Sequence, residues 1–487
     1  MKVKLKYLFF LLLIPFLLDA QENQGLTFGG QKEEIGYDII QCSDGGYLLG
    51  GSTKSFGTGN MDIYVIKLNE NANAEWIKTI GWKHNDLIRS ITEVDGGYII
   101  VGDVWDYGYS LLDIIVIKLD YDGNIIWQNL YGTHSKDIGF DGIELEDKSI
   151  AILGYTRDID PFGDILLIKT DKDGNEIWRN NFGTPYDDYG IEVITFDTDK
   201  FLIIGTKAGF YDDVYATYFN SHDADIMLIC CDKNGNELWQ KTYGGYGHDF
   251  GYSIVTEGES IYICGSTQSN GNGSFDMILL KTDNEGNELW SKTYGGSEYD
   301  YGISMVNNSE GGLYLSGTTK SFGQNLSPDY YLIKTDYEGN EIWNLTFGGD
   351  LIENVYKAFS TADSGVILIG KTNSFGNGYF DILLVKVDKN GIIENLISGI
   401  DSTFISDIQL YPNPVSDQGR FRNLSTTEIP ELYIEIVSMS GRVISSFKVV
   451  APDYSFNTNY LGSGFYIYRV RMKEDSKIIF TGKLIVN

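Results

Sequence analysis

Positive charge is scarce in this chain. Across 487 residues, 37 Lys and Arg face 68 Asp and Glu, a net charge of −31. Such a chain repels phosphate backbones and anionic lipid, which argues against nucleic acid or simple electrostatic adhesion to membranes as partners. Cysteine is equally sparse. Cys42, Cys230, Cys231 and Cys264 show no disulfide framework, and partly buried free thiols are expected. The four histidines, His84, His134, His222 and His248, are scattered, and no HExxH, GxSxG or phosphate-loop motif occurs. No catalytic set, metal site or cofactor is therefore expected. Long apolar runs are absent after the first twenty residues, and helical periodicity is absent throughout.

Those first twenty residues, MKVKLKYLFFLLLIPFLLDA, place three lysines before an apolar run from Tyr7 to Leu18. The run is too short for a membrane span and reads as an export signal over residues 1–20. Composition shifts again near Gly399. Residues 401–487 hold nine acids and nine bases, with only five of the 57 glycines but four of the eight prolines. A boundary there separates a strongly acidic body, residues 21–400, from a neutral tail, residues 401–487.

The body is repetitive. The phrase TDKDGNEIW, ending at Trp178, returns at Trp127, Trp239, Trp290 and Trp343, and in degraded form at Trp76. A seventh copy keeps Asp388 and Gly391 but has Asn395 where Trp belongs. An Asp precedes the apolar run ahead of each copy, at 62, 113, 164, 225, 276, 329 and 381. A period near fifty residues is the mark of a repeat architecture. Each unit contains four short runs rich in Ile, Leu, Val and Tyr, joined by DGG-type and D-x-x-G-N turns. The expectation is an all-β chain: a seven-bladed β-propeller in which the recurring Trp packs blade on blade, with GLTFGG (Gly25 to Gly30) lying beside the last blade to close the ring. D-x-x-G-N itself resembles a calcium loop only superficially. Its Gly is fourth rather than sixth and no acid follows at the proper distance, so it reads as a tight turn.

Two resemblances follow from these phrases. The Asp, Gly and Trp spacing is similar to the tryptophan-docking repeat of quinoprotein dehydrogenases, and Cys230-Cys231 would then sit near a quinone. Seven units where that family typically has eight, and cysteines standing in strand positions, speak against it. DGGY at Asp44, SFG at Ser55 and Ser321, and GN-E-x-W resemble more closely the secreted repeat propellers of Bacteroidetes-type bacteria.

In the tail, LYPNPVSD carries Tyr411, Pro412, Asn413 and Pro414, followed by SGRV with Gly441 and Arg442 and by GFYIYRV with Gly464 and Tyr466. Alternating strands predict a small β-sandwich, immunoglobulin-like in size. The motifs resemble the type A C-terminal sorting domain of the type IX secretion system. That resemblance implies the secretion machinery as a partner, passage to the cell surface by way of the periplasm, and removal of the tail with release or attachment to surface lipopolysaccharide.

Both tight turns of each blade must share one face of a propeller, leaving the longer connections on the other. Ligand binding is expected on that long-loop face, which carries Trp105, Tyr107, Tyr109 and Phe275. The fourth repeat adds an insertion there with Phe210, Tyr211, Asp212, Asp213, Tyr215 and Tyr218. Aromatic rings beside carboxylates suit a glycan or a cation site, and in so acidic a chain a neutral glycan or a cation-bridged polymer is expected rather than an anion. The functional expectation is a secreted or surface-attached binding or adhesion propeller. The alternatives are a structural interaction repeat, a polysaccharide hydrolase or lyase using acid pairs such as Asp187-Asp188, or a quinoprotein-like enzyme.

Overall fold

The computed structural model describes residues 25–394 and 409–486, except 59, 107–110, 159–161, 198, 208–223, 377, 412–417, 423–431, 439–442, 449–453 and 473–477. Seven antiparallel sheets occupy residues 26–394, and in six of them four consecutive strands pair in chain order. Blade 3 is typical: Ile150–Thr156 pairs with the inner strand Asp137–Glu144, then Asp164–Thr170 and the outer strand Glu176–Phe182 follow. The second and third strands of the blades are almost entirely buried. Neighbouring blades cover both of their faces, which is why they read as unbroken apolar runs rather than alternating ones. Outer strands such as Glu288–Tyr294 are partly exposed, with no buried residue.

The inner strands pack on one another in order, and that of blade 7 (Glu353–Ser360) packs on that of blade 1 (Glu34–Gln41). The ring is closed: this is a β-propeller. Blade 7 takes its outer strand from both sides of the sequence. Leu26–Phe28 pairs with Asp381–Val387 in the register Leu26↔Leu384, and Ile393–Glu394 pairs with the other end of the same strand. The expected closing role of GLTFGG is therefore met, and an exposed sheet edge is removed.

Each D-x-x-G-N phrase is a turn between the third and outer strands. In blade 3 the Asp171 carboxylate accepts from the backbone N–H of Asp173 (2.9 Å) and Asn175 (2.8 Å) and from the Asn175 side chain (2.8 Å). Gly174 has a φ of +80°. A Cβ there would lie 3.0 Å from the ring of Trp127 in the preceding blade. The same relation joins Gly123 to Trp76, Gly235 to Trp178, Gly286 to Trp239, Gly339 to Trp290 and Gly391 to Trp343. The six tryptophans are thus inter-blade packing residues, as their periodicity implied. Cys230 and Cys231 lie within the third strand of blade 4 and are wholly buried, more deeply than the sequence suggested.

Beyond the propeller, a three-stranded sheet (Gln409–Tyr411, Gln418–Arg422, Tyr454–Asn457) accompanies a four-stranded one (Val443–Lys448, Leu432–Ser438, Gly464–Met472, Ile478–Val486). Phe447 of the larger sheet meets Phe456 of the smaller at 6.0 Å between ring centres.

Candidate functional site

The connections between second and third strands, and between one blade and the next, all emerge on the long-loop face. Their acids are engaged by the loops themselves. In six of the seven blades the first residue of the inner strand accepts the backbone N–H four residues earlier, as in Trp82 to Asp86 (2.6 Å), Thr133 to Asp137 (2.6 Å), Gly296 to Asp300 (2.7 Å) and Gly349 to Glu353 (2.7 Å). The T-x-S-F-G phrase clamps onto the same carboxylates, with Thr53 Oγ1 donating to Glu34 (2.7 Å) and Ser321 Oγ to Asp300 (2.6 Å). Acids opening the third strands act likewise: Asp276 accepts from the N–H groups of Asn272 (2.8 Å) and Gly273 (3.0 Å). Burial pushes Asp86 and Asp329 up to about 6. The acidity of this face is therefore largely loop architecture. The Asp187-Asp188 pair follows suit: Asp188 is buried and accepts from Thr184, while Asp187 accepts from Tyr155 Oη (2.7 Å), Gly163 N (2.9 Å) and Arg157 (3.2 Å).

Aromatic rings behave differently. Eight aromatic side chains of the propeller are well exposed among the described residues: Trp82, Trp105, Tyr121, Phe162, Tyr246, Tyr299, Phe322 and Tyr379. Seven of the eight, all but Tyr121, stand on the long-loop face. Trp105 is 43% exposed, near the end of its strand. Phe275 is buried among Phe250, Tyr299 and Tyr301, and so corrects the expectation of an exposed ring. Tyr107, Tyr109, Phe210, Tyr211, Asp212, Asp213, Tyr215 and Tyr218 lie outside the described residues.

A second feature surrounds the axis and was missed from sequence. Every inner strand carries a bulge after its second or third residue, for instance between Gly139 and Asp141. A bulge frees one backbone N–H from the ladder. In five blades an acceptor on the preceding blade takes it: Asp38 from Ile91 (2.7 Å), Asp141 from Val193 (3.0 Å), Glu192 from Ile254 (2.8 Å), Ser253 from Met305 (3.1 Å) and Ser304 from Ala358 (3.1 Å). The remaining two positions are Lys357, which cannot accept, and Ser90, whose hydroxyl donates to Asp141 (2.7 Å). There the freed N–H groups of Ile39 and Gly142 are capped by Asp38 and Asp141 of their own blades, both at 2.8 Å. Lys357 instead reaches from blade 7 to Glu192 of blade 4 (2.6 Å). Burial pushes Asp38 up to about 7, against the pull of Lys357 and two N–H groups. Burial also opposes charge on Lys357, but Glu192, Asp38 and Asp141 together hold its ammonium above the ordinary range. This belt borders an axial cavity of about 100 Å³, walled by Tyr37, Phe140, Tyr252 and Tyr356. The sequence signal was a polar residue two places after the Gly of the first strand, as in GYD, GFD and GIE, where strand alternation breaks.

In the tail, Gly464 opens the strand Gly464–Met472 and Tyr466 Oη donates to Gly462 O (2.8 Å). Tyr411 ends a strand, while Pro412, Asn413, Pro414, Gly441 and Arg442 lie outside the described residues. Residues 409–487 match the family model of the secretion system C-terminal sorting domain. This sorting domain marks the chain for export by type IX secretion to the cell surface or extracellular space. No helix among the described residues is long and apolar enough to cross a membrane. Among curated proteins, the regulatory protein FlaEY of Caulobacter vibrioides is 24% identical over 254 residues, which cover 46% of this chain and 26% of that protein. The chain thus spans about a quarter of that relative. Solved structures similar to it include the β-propeller domain of the Trilobed protease from Pyrococcus furiosus (12% identity, TM-score 0.43, covering 78% of this chain and all of that one). The Neurospora crassa Pan2 WD40 domain is 11% identical with a TM-score of 0.45, covering 72% and 88%.

Proposed function

We propose that the propeller is a binding module displayed outside the cell, with its long-loop face as the ligand surface and carbohydrate as the ligand class. The observation that carries this reading is the segregation of exposed rings, seven of eight on one face. Aromatic faces stack on the apolar faces of sugar rings, while their polar edges and neighbouring loop amides accept and donate hydrogen bonds. Phe210, Tyr211, Tyr215 and Tyr218 fall in the sequence between the second and third strands of blade 4. Removal of the sorting domain, with attachment to surface lipopolysaccharide, would leave the face free to meet an external polymer.

The test is binding of the full chain to a panel of neutral and acidic polysaccharides. Trp82→Ala, Trp105→Ala and Tyr379→Ala are each expected to weaken binding several-fold, about 1 kcal/mol per ring. Tyr121→Ala, on the opposite face, serves as the control. No binding across the panel, or equal loss in the control, defeats the reading.

A further inference from the structure

In all seven blades the residue that the bulge sets apart from the ladder lines the axial cavity. Blades 1, 3, 5 and 7 place aromatic rings there, Tyr37, Phe140, Tyr252 and Tyr356, and the blades between them place Arg89, Ile191 and Ile303. The space of about 100 Å³ among these side chains has room for an ammonium group and a short carbon chain. Two of the rings already serve as platforms for cations of the chain itself. The Arg89 guanidinium lies 5.4 Å from the centre of the Phe140 ring. The Lys371 ammonium, which is not part of the lining, lies 5.8 Å from that of Tyr356.

The charges bordering the cavity do not balance. Asp38, Asp141 and Glu192 line it together with Arg89 and Lys357. Arg89 is answered from outside the lining, with Nε 3.0 Å from the buried carboxylate of Asp103. Lys357 is then the one ammonium of the lining for three carboxylates, and it stands 2.6 Å from Glu192. Backbone N–H groups and the hydroxyls of Ser90 and Ser253 donate to these acids, but hydrogen bonds leave their charge in place. Burial pushes Asp38 up to about 7 despite Lys357, and it raises Asp141 as well. A cation in such a cavity gains from the ring faces and from the excess of acids together. The field of a chain with net charge −31 also draws cations rather than anions towards it.

We propose that the axial cavity is a binding site for a primary ammonium group, carried by a small amine or by an amino sugar. The ammonium sits among Asp38, Asp141 and Glu192 and supplies the positive charge that Lys357 alone does not. Its carbon chain lies against Tyr37, Tyr252 and Tyr356. This site differs from the long-loop rings in its residues and in its chemistry, and it does not rest on the glycan reading above.

The experiment titrates the full chain in physiological salt with ethylammonium, D-glucosamine and D-glucose, following heats of binding and Tm. Ethylammonium should bind and raise Tm, and D-glucose should do neither. Glucosamine binding more tightly than ethylammonium would name an amino sugar as the occupant, and the reverse order a free amine. Asp38→Asn should weaken binding by about tenfold or more. Asp173→Asn, the same change of charge on an exposed turn, should leave it unaltered. Tyr252→Leu should weaken it about threefold. Lys357→Met carries the opposite sign. With no cation of its own, the belt should bind ethylammonium more tightly, and the added ion should restore the Tm that the substitution removes. No response to either ammonium, equal affinity for glucose, equal affinities in Asp38→Asn and Asp173→Asn, or unchanged or weaker binding by Lys357→Met overturns the proposal. Neutral polysaccharides that still bind through Trp82, Trp105 and Tyr379 would leave the long-loop reading intact while this site falls.

Discussion

Six glycines and six tryptophans hold the blades together pairwise, and the one junction that departs from the rule explains it. Blade 7 has Asn395 where its Trp belongs, and blade 1 has Ala72 where its turn Gly belongs. Ala72 keeps the left-handed backbone, with φ +56°, and is buried in the apolar cluster between blades 7 and 1 that Leu26 and Phe28 also join. A side chain is tolerated at the turn where no indole presses on it. Gly235→Ala combines a φ of +79° with a Cβ 2.7 Å from Trp178 and a collision with Asn180. It should destabilise by about 2–3 kcal/mol. Ala72→Gly should change stability by less than about 1 kcal/mol. Calorimetric Tm values of the two variants check this, and a neutral Gly235→Ala would refute it. Both residue types were legible in the sequence as a period. Their partnership across repeats was not, because only the closed ring puts the missing Trp of the last copy beside the altered turn of the first.

The inner strand is the element whose behaviour the sequence concealed. Its length and apolar character were plain, but a bulge adds a residue without any composition of its own, and the polar side chain it turns toward the axis looked like an ordinary exposed position. The resulting belt is a chain of caps from blade to blade, with Lys357 spanning the axis. Lys357→Met leaves Glu192, Asp38 and Asp141 without their shared cation. Thirty per cent of the Lys357 side chain is exposed, so solvent screens part of the charge. The expected loss is about 1–2 kcal/mol rather than the 3–5 of a fully enclosed pair. The paired variant Lys357→Met/Glu192→Gln should recover part of it. Tm values of the single and double variants decide the matter: a single variant as stable as the unsubstituted chain would show that the belt needs no cation. The exposed rings of the long-loop face were partly legible, as Trp105 shows. Phe275 was misplaced because an aromatic residue in a loop connection can turn inward onto its neighbours, and sequence carries no sign of which way it turns.

For the molecule as a whole, two sets of carboxyls set the response to pH and act in opposite directions. Asp38, raised to about 7, and Asp86 and Asp329, raised to about 6, start from an ordinary value of 3.8. Their contribution is fully present below that ordinary value and is lost as pH rises through 6 to 7. The turn residues Asp120, Asp171, Asp232, Asp283 and Asp336 are held below the ordinary range, chiefly by the Asn side chain four residues on and by its backbone N–H. Their contribution is present above 3.8 and is lost as pH falls through their lower values. Stability should therefore be highest near about pH 4 and decline toward about pH 7, with Tm at pH 5 exceeding that at pH 8. A Tm that rises steadily from pH 5 to pH 8 would contradict these assignments. Easing of the −31 self-repulsion in mild acid acts in the same direction.

The pairing of Leu26 with Leu384 also fixes an order of events in time. Each of the first six blades can form from its own fifty residues, through contacts that are local in sequence and therefore fast. The strand around Leu26 is synthesised before all of them, yet its partner is almost the last part of the propeller to be made. Through most of synthesis, the first strand has nothing to pair with. Closure is consequently a late step, and until it occurs the chain carries an open sheet edge at blade 7 and a loose apolar segment ahead of blade 1. That interval is when the molecule is most exposed to mispairing with a second copy of itself.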